Sequence, residues 1–246
     1  MSSNNGNLLS IVYKQWKFKI SANNGFFSSL LWIQIIGILL SLVANVSMFS
    51  SSLVSVEVIN ANIVIVFTFI WGFIIGNTLT SKANRYEDFT YVSNKISQLL
   101  SNICFLLTAS VIGGLTAFLS GYVIRILKMI LLSDMQLAYV SADSLIITFA
   151  GIIATISYVW LFSAFGYFVG ILVHWHKLFI IIIPSFFIAI LILSQSPNQL
   201  NGFLAFMGDW FFMQRSFLLF IMAIIVSITF LFSISLLVSN RLEVRD

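Results

Sequence analysis

His174 and His176 are the chain's two histidines, and a His-x-His pair is the first place to look for a metal. Helical metal ligands stand three or four residues apart so that both side chains face one ion, as in His-Glu-x-x-His. A spacing of two turns the rings away from each other, and no cysteine or carboxylate accompanies them. Beside Trp175 and Lys177 the pair reads as an anchor at a membrane interface, and no metal site is expected. Intramembrane proteolysis needs a nucleophile with its base, or an acidic pair, at membrane depth. The long apolar runs carry many serines but no Asp, no Glu and no central His. The Gly-x4-Gly-Lys-Ser/Thr loop that cradles nucleotide phosphates is also missing. The chain is therefore not expected to be an enzyme.

Three polar groupings remain. Arg125 and Lys128 lie one helical turn apart at the end of an apolar run, where long basic side chains snorkel to headgroups. The alternative is an exit-side contact for an anionic or amphipathic cargo. Gln34, Asn45, Asn77, Gln98 and Asn102 are amides in or near apolar runs, a placement that favours hydrogen bonds between helices. Asn77 joins Arg125 and Lys128 as a candidate cargo contact. Gly72-x3-Gly76 and Gly166-x3-Gly170 allow helix backbones to approach closely, within one subunit or between two copies.

The most polar stretch between two apolar runs is residues 80–95. Its charges, Lys82, Arg85, Glu87, Asp88 and Lys95, each cost about 2.5–3.5 kcal/mol at the centre of a bilayer. The stretch must lie outside the membrane while its flanks lie inside. It reads as a short cytoplasmic helix offered to a soluble partner.

The elements that position these residues follow from composition. The chain has 246 residues, 60% hydrophobic and 8% charged, whereas soluble domains carry about 25% charged residues. Lipid must be the solvent for most of its surface. Two prolines suit long helices, and a barrel would need alternating polarity instead. The net charge of +4 is explained by membrane orientation, so no nucleic acid is expected as a partner. The single cysteine, Cys104, excludes an intrachain disulfide. No removable signal peptide is recognised.

Residues 8–20 form an amphipathic pattern, with Leu8, Leu9, Val12, Trp16 and Ile20 on one arc and Lys14 and Lys17 opposite. Lys19 breaks the pattern. This predicts a helix lying in the interface with Trp16 at headgroup depth. Six spans are expected, at 26–49, 62–79, 96–127, 144–173, 178–194 and 216–239. The fifth is close to the minimum length for crossing. Residues 195–215 are too apolar for an open loop and too broken for a span, which predicts a re-entrant or interfacial hairpin. With six spans both termini share a side. That side holds nine of the 12 Lys and Arg residues, which places both termini in the cytoplasm of a multi-pass cell-membrane protein. The fold class is all-α, a single transmembrane domain covering 1–246.

The order of elements resembles the permease subunit of type-2 ATP-binding-cassette transporters, and small bacterial peptide exporters in particular. At residue level the resemblance rests on Arg85-Tyr86-Glu87-Asp88-Phe89 followed by Tyr91-Val92-Ser93-Asn94-Lys95, leading into a polar-started span. The resemblance implies that 80–95 is a coupling helix and 8–20 a membrane-lying elbow. Lys82, Arg85, Tyr86, Glu87, Asp88, Phe89 and Lys95 would then touch a separate cytoplasmic ATPase, and Lys14, Trp16 and Lys17 would serve the elbow. ATP and Mg would bind that partner and not this chain. A second permease copy would complete a 2:2 complex around an amphipathic peptide cargo. Self-protection against antimicrobial peptides, lipid-like cargo and a non-transporting scaffold are the alternatives.

Overall fold

The computed structural model describes residues 8–43, 47–51, 54–57, 61–81, 84, 95–131, 144–194 and 216–242. Each long apolar run becomes a helix, because a helix satisfies every backbone group internally where no water is present. In chain order they are α1 (Leu8–Ala22), α2 (Asn24–Val43), α3 (Asn62–Leu79), α4 (Lys95–Leu131), α5 (Leu145–Trp175), α6 (Phe179–Ser194) and α7 (Phe217–Leu242). Five of them, α2, α3, α4, α5 and α7, are long and apolar enough to cross a membrane. Large apolar side chains such as Leu31, Trp32, Leu39, Ile126 and Phe230 stay exposed on the outer faces. This is the architecture of a helical membrane protein.

Two expectations change at this level. The first apolar run stops being helical at Val43, short of Phe49. Ser47–Ser51 and Val54–Glu57 form a short antiparallel hairpin, β1–β2, with Phe49 opposite Val56 and Ser50 opposite Ser55. The Val-Ser-Val-Glu alternation has the period of two that suits a strand. The second change is α6. Its 16 residues are about 24 Å long, short of the roughly 30 Å hydrocarbon core, and Pro184 sits inside it.

α1 and α2 are separate helices because of Asn23. Its backbone N–H and its side-chain amide both donate to the Lys19 carbonyl, each at 3.0 Å, and the Phe26 N–H donates to the Asn23 carbonyl. Satisfying an end-of-helix carbonyl in this way closes α1 and opens a sharp corner.

Pairs of contacts fix helix directions. α3 and α5 run parallel, with Phe69 stacked on Phe162 at 4.9 Å near one end and Gly170 against Thr80 at the other. Along this seam the two small-residue motifs interlock. Gly76 lies against the backbone of Ser163 and Tyr167, and Gly166 lies against the backbone of Phe73. The sequence left open whether these motifs act within one subunit or between two, and here they pack against each other. α4 runs antiparallel to both, with Gly113 beside Trp71 and Gly114 against Ile156. α7 is parallel to α5: Tyr158 meets Phe220 at 5.2 Å and Tyr167 meets Phe232 at 5.6 Å. Phe220, Ile224, Ile228 and Phe232, one turn apart, are the buried edge of α7.

The amide reading of Gln34 holds. From α2 its Nε2 donates to Thr68 Oγ1 on α3 (3.3 Å) and to Gly113 O (3.3 Å) and Thr116 Oγ1 (2.9 Å) on α4. Thr68 and Thr116 also bond carbonyls of their own helices, so neither depends on Gln34. Gln34→Leu is therefore expected to cost only about 1 kcal/mol, in line with interhelical hydrogen bonds elsewhere. Reversible unfolding in mixed detergent micelles measures this.

Candidate functional site at the charged end of the bundle

The helix directions bring five chain positions to one end of the bundle: the α1–α2 corner, the close of α3, the start of α4, and the closes of α5 and α7. Lys95 on α4 donates to the Ser239 carbonyl on α7 at 3.4 Å. Thr80, buried at the end of α3, donates its hydroxyl to Asn77 O at 2.7 Å and faces Gly170 of α5. Asn84 reaches back to donate its amide to Thr78 O at 2.8 Å, satisfying one of α3's last carbonyls. Lys177 is exposed in the turn after α5. In that turn His176 Nδ1 accepts from the Leu178 N–H at 3.4 Å and Trp175 stacks on Phe179 at 6.2 Å.

α1 differs most from its sequence reading. Its buried face is Val12, Gln15 and Lys19 with Trp16 beside them, while Leu8 and Leu9 are exposed. The helix packs on α4. Trp16 Nε1 donates to Thr108 Oγ1 at 2.9 Å, and Lys19 Nζ donates to Ser101 Oγ at 3.1 Å and to Asn102 Oδ1. Asn102 Nδ2 continues the chain to Tyr167 Oη on α5 at 3.2 Å. Trp16 is thus tied to α4, about 20 Å along that helix from Lys95. Lys14 and Lys17 remain exposed, as the helical pattern predicts.

Lys19, the residue that breaks the amphipathic pattern, turns into the bundle. It is 7% exposed and held by uncharged oxygens. The signal was present in the spacing 12, 15, 16, 19, a helical face that mixes Gln15 and Lys19 with Val12 and Trp16. Ser97, Ser101 and Asn102 supply a matching polar stripe on α4.

The candidate cargo contacts do not form one site. Asn77 is exposed next to Gly170 at the charged end. Arg125 and Lys128 sit near the other end of α4, beyond Gly121, which passes the start of α3 at Ala61. Arg125 is exposed, with its guanidinium 5.7 Å from the Tyr122 ring centroid, whereas Lys128 is only 3% exposed. A snorkelling lysine would be open to headgroups, so that reading fits Arg125 and not Lys128. Among the candidate coupling residues, Lys95 is the first residue of α4. Lys82, Arg85, Tyr86, Glu87, Asp88 and Phe89 lie outside the described residues, as do Asn45 and the hairpin expected at 195–215.

No protein-family model, curated protein or solved structure matches this chain.

Proposed function

We propose that this chain is the membrane-embedded permease subunit of an ATP-driven exporter of amphipathic peptides, paired with a second permease on two cytoplasmic nucleotide-binding subunits. ATP and Mg2+ belong to those subunits. One observation carries the reading. The described residues at the two ends of the stretch 80–95 touch several helices: Thr80 and Asn84 bond α3, Thr80 lies against Gly170 of α5, and Lys95 donates to Ser239 of α7. A push on that segment would reach most of the bundle through hydrogen bonds and backbone contacts, as a coupling element requires.

The parallel packing of α5 and α7 supports six crossings. The chain leaves α5 at one end and enters α7 at the other, so residues 176–215 must return along the bundle. α6 supplies about 24 Å of that path. Six crossings put both termini on the side that carries most of the cations, the cytoplasmic side. In a Cys104→Ala background, single cysteines at Ser81 and Ser239 are expected to react with a membrane-impermeant maleimide only after the cells are opened. A cysteine at Ser144 is expected to react in intact cells. Labelling of Ser81 and Ser239 from opposite sides would remove the sixth crossing.

Purified in mild detergent, the chain is expected to bring a stoichiometric ATPase with it. The Glu87→Lys/Asp88→Lys variant is expected to weaken that association at least about tenfold, because like charges set against a matched groove repel. A chain that purifies alone, or a double variant that retains its ATPase, would reject the coupling role. Loss of a secreted peptide on gene deletion distinguishes export from self-protection, where only peptide sensitivity rises.

A further inference from the structure

Gln15 is 1% exposed, and among the described residues neither its Nε2 nor its Oε1 has a hydrogen-bond partner. A buried amide with both ends unmet is rare in a settled structure, because each unmet group keeps its full desolvation cost. Gln15 stands one helical turn before Lys19 on the buried face of α1. Lys19 already occupies the acceptors on α4, Ser101 Oγ and Asn102 Oδ1.

We propose that α1 has two registers on α4, one helical turn apart, and that Gln15 and Lys19 take turns at the Ser101–Asn102 site. The helices run antiparallel: contacts descend α4 from Thr108 to Ser101 as α1 advances from Trp16 to Lys19. A slide of one turn, about 5.4 Å, toward Lys95 brings Gln15 level with Asn102. Its Nε2 then donates to Asn102 Oδ1, and its Oε1 accepts from the Ser101 hydroxyl, which turns away from the Gln98 carbonyl it bonds at 2.8 Å in the present register. Lys19 moves by the same distance toward the water-facing end. The opposite slide would set the lysine against Phe105, which is fully buried and apolar, so only one direction is open. One-turn steps of this kind are a known way for packed helices to hold two discrete states.

The corner permits the movement. Ser21, Ala22, Asn24 and Gly25 are exposed, and Gly25 has open space around it. α2 stays in place because Trp71 Nε1 donates to Phe26 O at 3.2 Å and to Ser29 Oγ at 3.1 Å. The bend is therefore confined to residues 21–25. This device depends only on α1 and α4 and stands whether or not an ATPase binds the chain.

The test is a distance measurement on the full chain in lipid nanodiscs. Spin labels go on cysteines replacing Tyr13 and Ile126, both exposed, in a Cys104→Ala background. Two populations separated by about 5 Å are expected. Gln15→Leu, which fills the same space without needing partners, is expected to leave only the shorter distance. A single distance in the parent, or two populations that persist in Gln15→Leu, overturns the proposal. A second readout needs no cysteine. Amine-reactive labelling of Lys19, with exposed Lys14 and Lys17 as internal references, is expected to slow at least fivefold in Gln15→Leu. An unchanged relative rate also overturns it.

Discussion

Gly76→Val and Gly166→Val will each unfold the bundle or leave it barely stable, with an expected loss of about 3 kcal/mol or more. The cause is where a Cβ would go. At Gly76 it would fall within bonding range of the Ser163 carbonyl oxygen and 2.7 Å from the Tyr167 nitrogen. At Gly166 it would fall on the Phe73 carbonyl oxygen, with that carbonyl carbon at 2.8 Å. These neighbours are backbone atoms of α3 and α5 and cannot swing aside, so the helices themselves would have to separate. A graded series isolates the effect. Gly113→Ala meets side chains and not backbone, the edge of the Trp71 ring at 2.9 Å and the Thr68 methyl at 3.4 Å, and should cost less. Gly25→Ala meets nothing within 4 Å and should be neutral. Size-exclusion profiles and thermal unfolding in a mild detergent read the series. Equal behaviour of Gly25→Ala and Gly76→Val would show that α3 and α5 do not touch in this way.

Asn102→Leu is expected to have the second largest effect. It takes an acceptor from a buried ammonium and a donor from Tyr167 in one step. Hydrogen bonds to charged groups contribute about 1.5–3 kcal/mol, and a buried charge deprived of an acceptor keeps its desolvation cost. A loss of about 2–3 kcal/mol follows. Lys19→Met should be milder, since it removes the charge along with its need for acceptors. The double variant should therefore be less damaged than the sum of the two single variants, with a coupling of at least about 1 kcal/mol in reversible unfolding. Strict additivity would show that the lysine and the asparagine do not act together.

These two predictions also separate what was readable in the chain from what was not. Gly72-x3-Gly76 and Gly166-x3-Gly170 stand out by eye, and their capacity for close approach needs nothing but the absence of a Cβ. That they meet each other, and not a second copy, depends on the relative rotation of two helices some ninety residues apart, which the motifs do not encode. Gln34 and Asn102 were legible as interhelical amides for a similar reason: a primary amide in an apolar run must find a partner. Which partner it finds is a matter of tertiary placement.

In α1, Val12, Trp16 and Ile20 pack inward as the helical wheel predicts, but Gln15 and Lys19 join them, against the wheel, because a wheel ranks residues by polarity and assumes one watery side and one oily side. Beside α4 the pattern differs, with Leu8 and Leu9 exposed and a polar stripe of Ser101, Asn102 and Thr108 on the packed side. Lys19 turns inward because there it meets the Ser101 and Asn102 oxygens. The first apolar run was drawn too long for a related reason, since Met48 and Phe49 are as apolar in a strand as in a helix.

By itself the sequence determined the apolar helical runs and the charged stretches that cannot lie in hydrocarbon. Each of these depends on local run length and on the cost of placing a charge in hydrocarbon, and neither needs a knowledge of neighbours. Only the tertiary structure decided which face of each helix is buried, that α5 and α7 run parallel, and that a lysine from α1 enters the bundle. Those outcomes depend on surfaces contributed by residues far apart along the chain, where shape and hydrogen-bond partners override the polarity of any single segment.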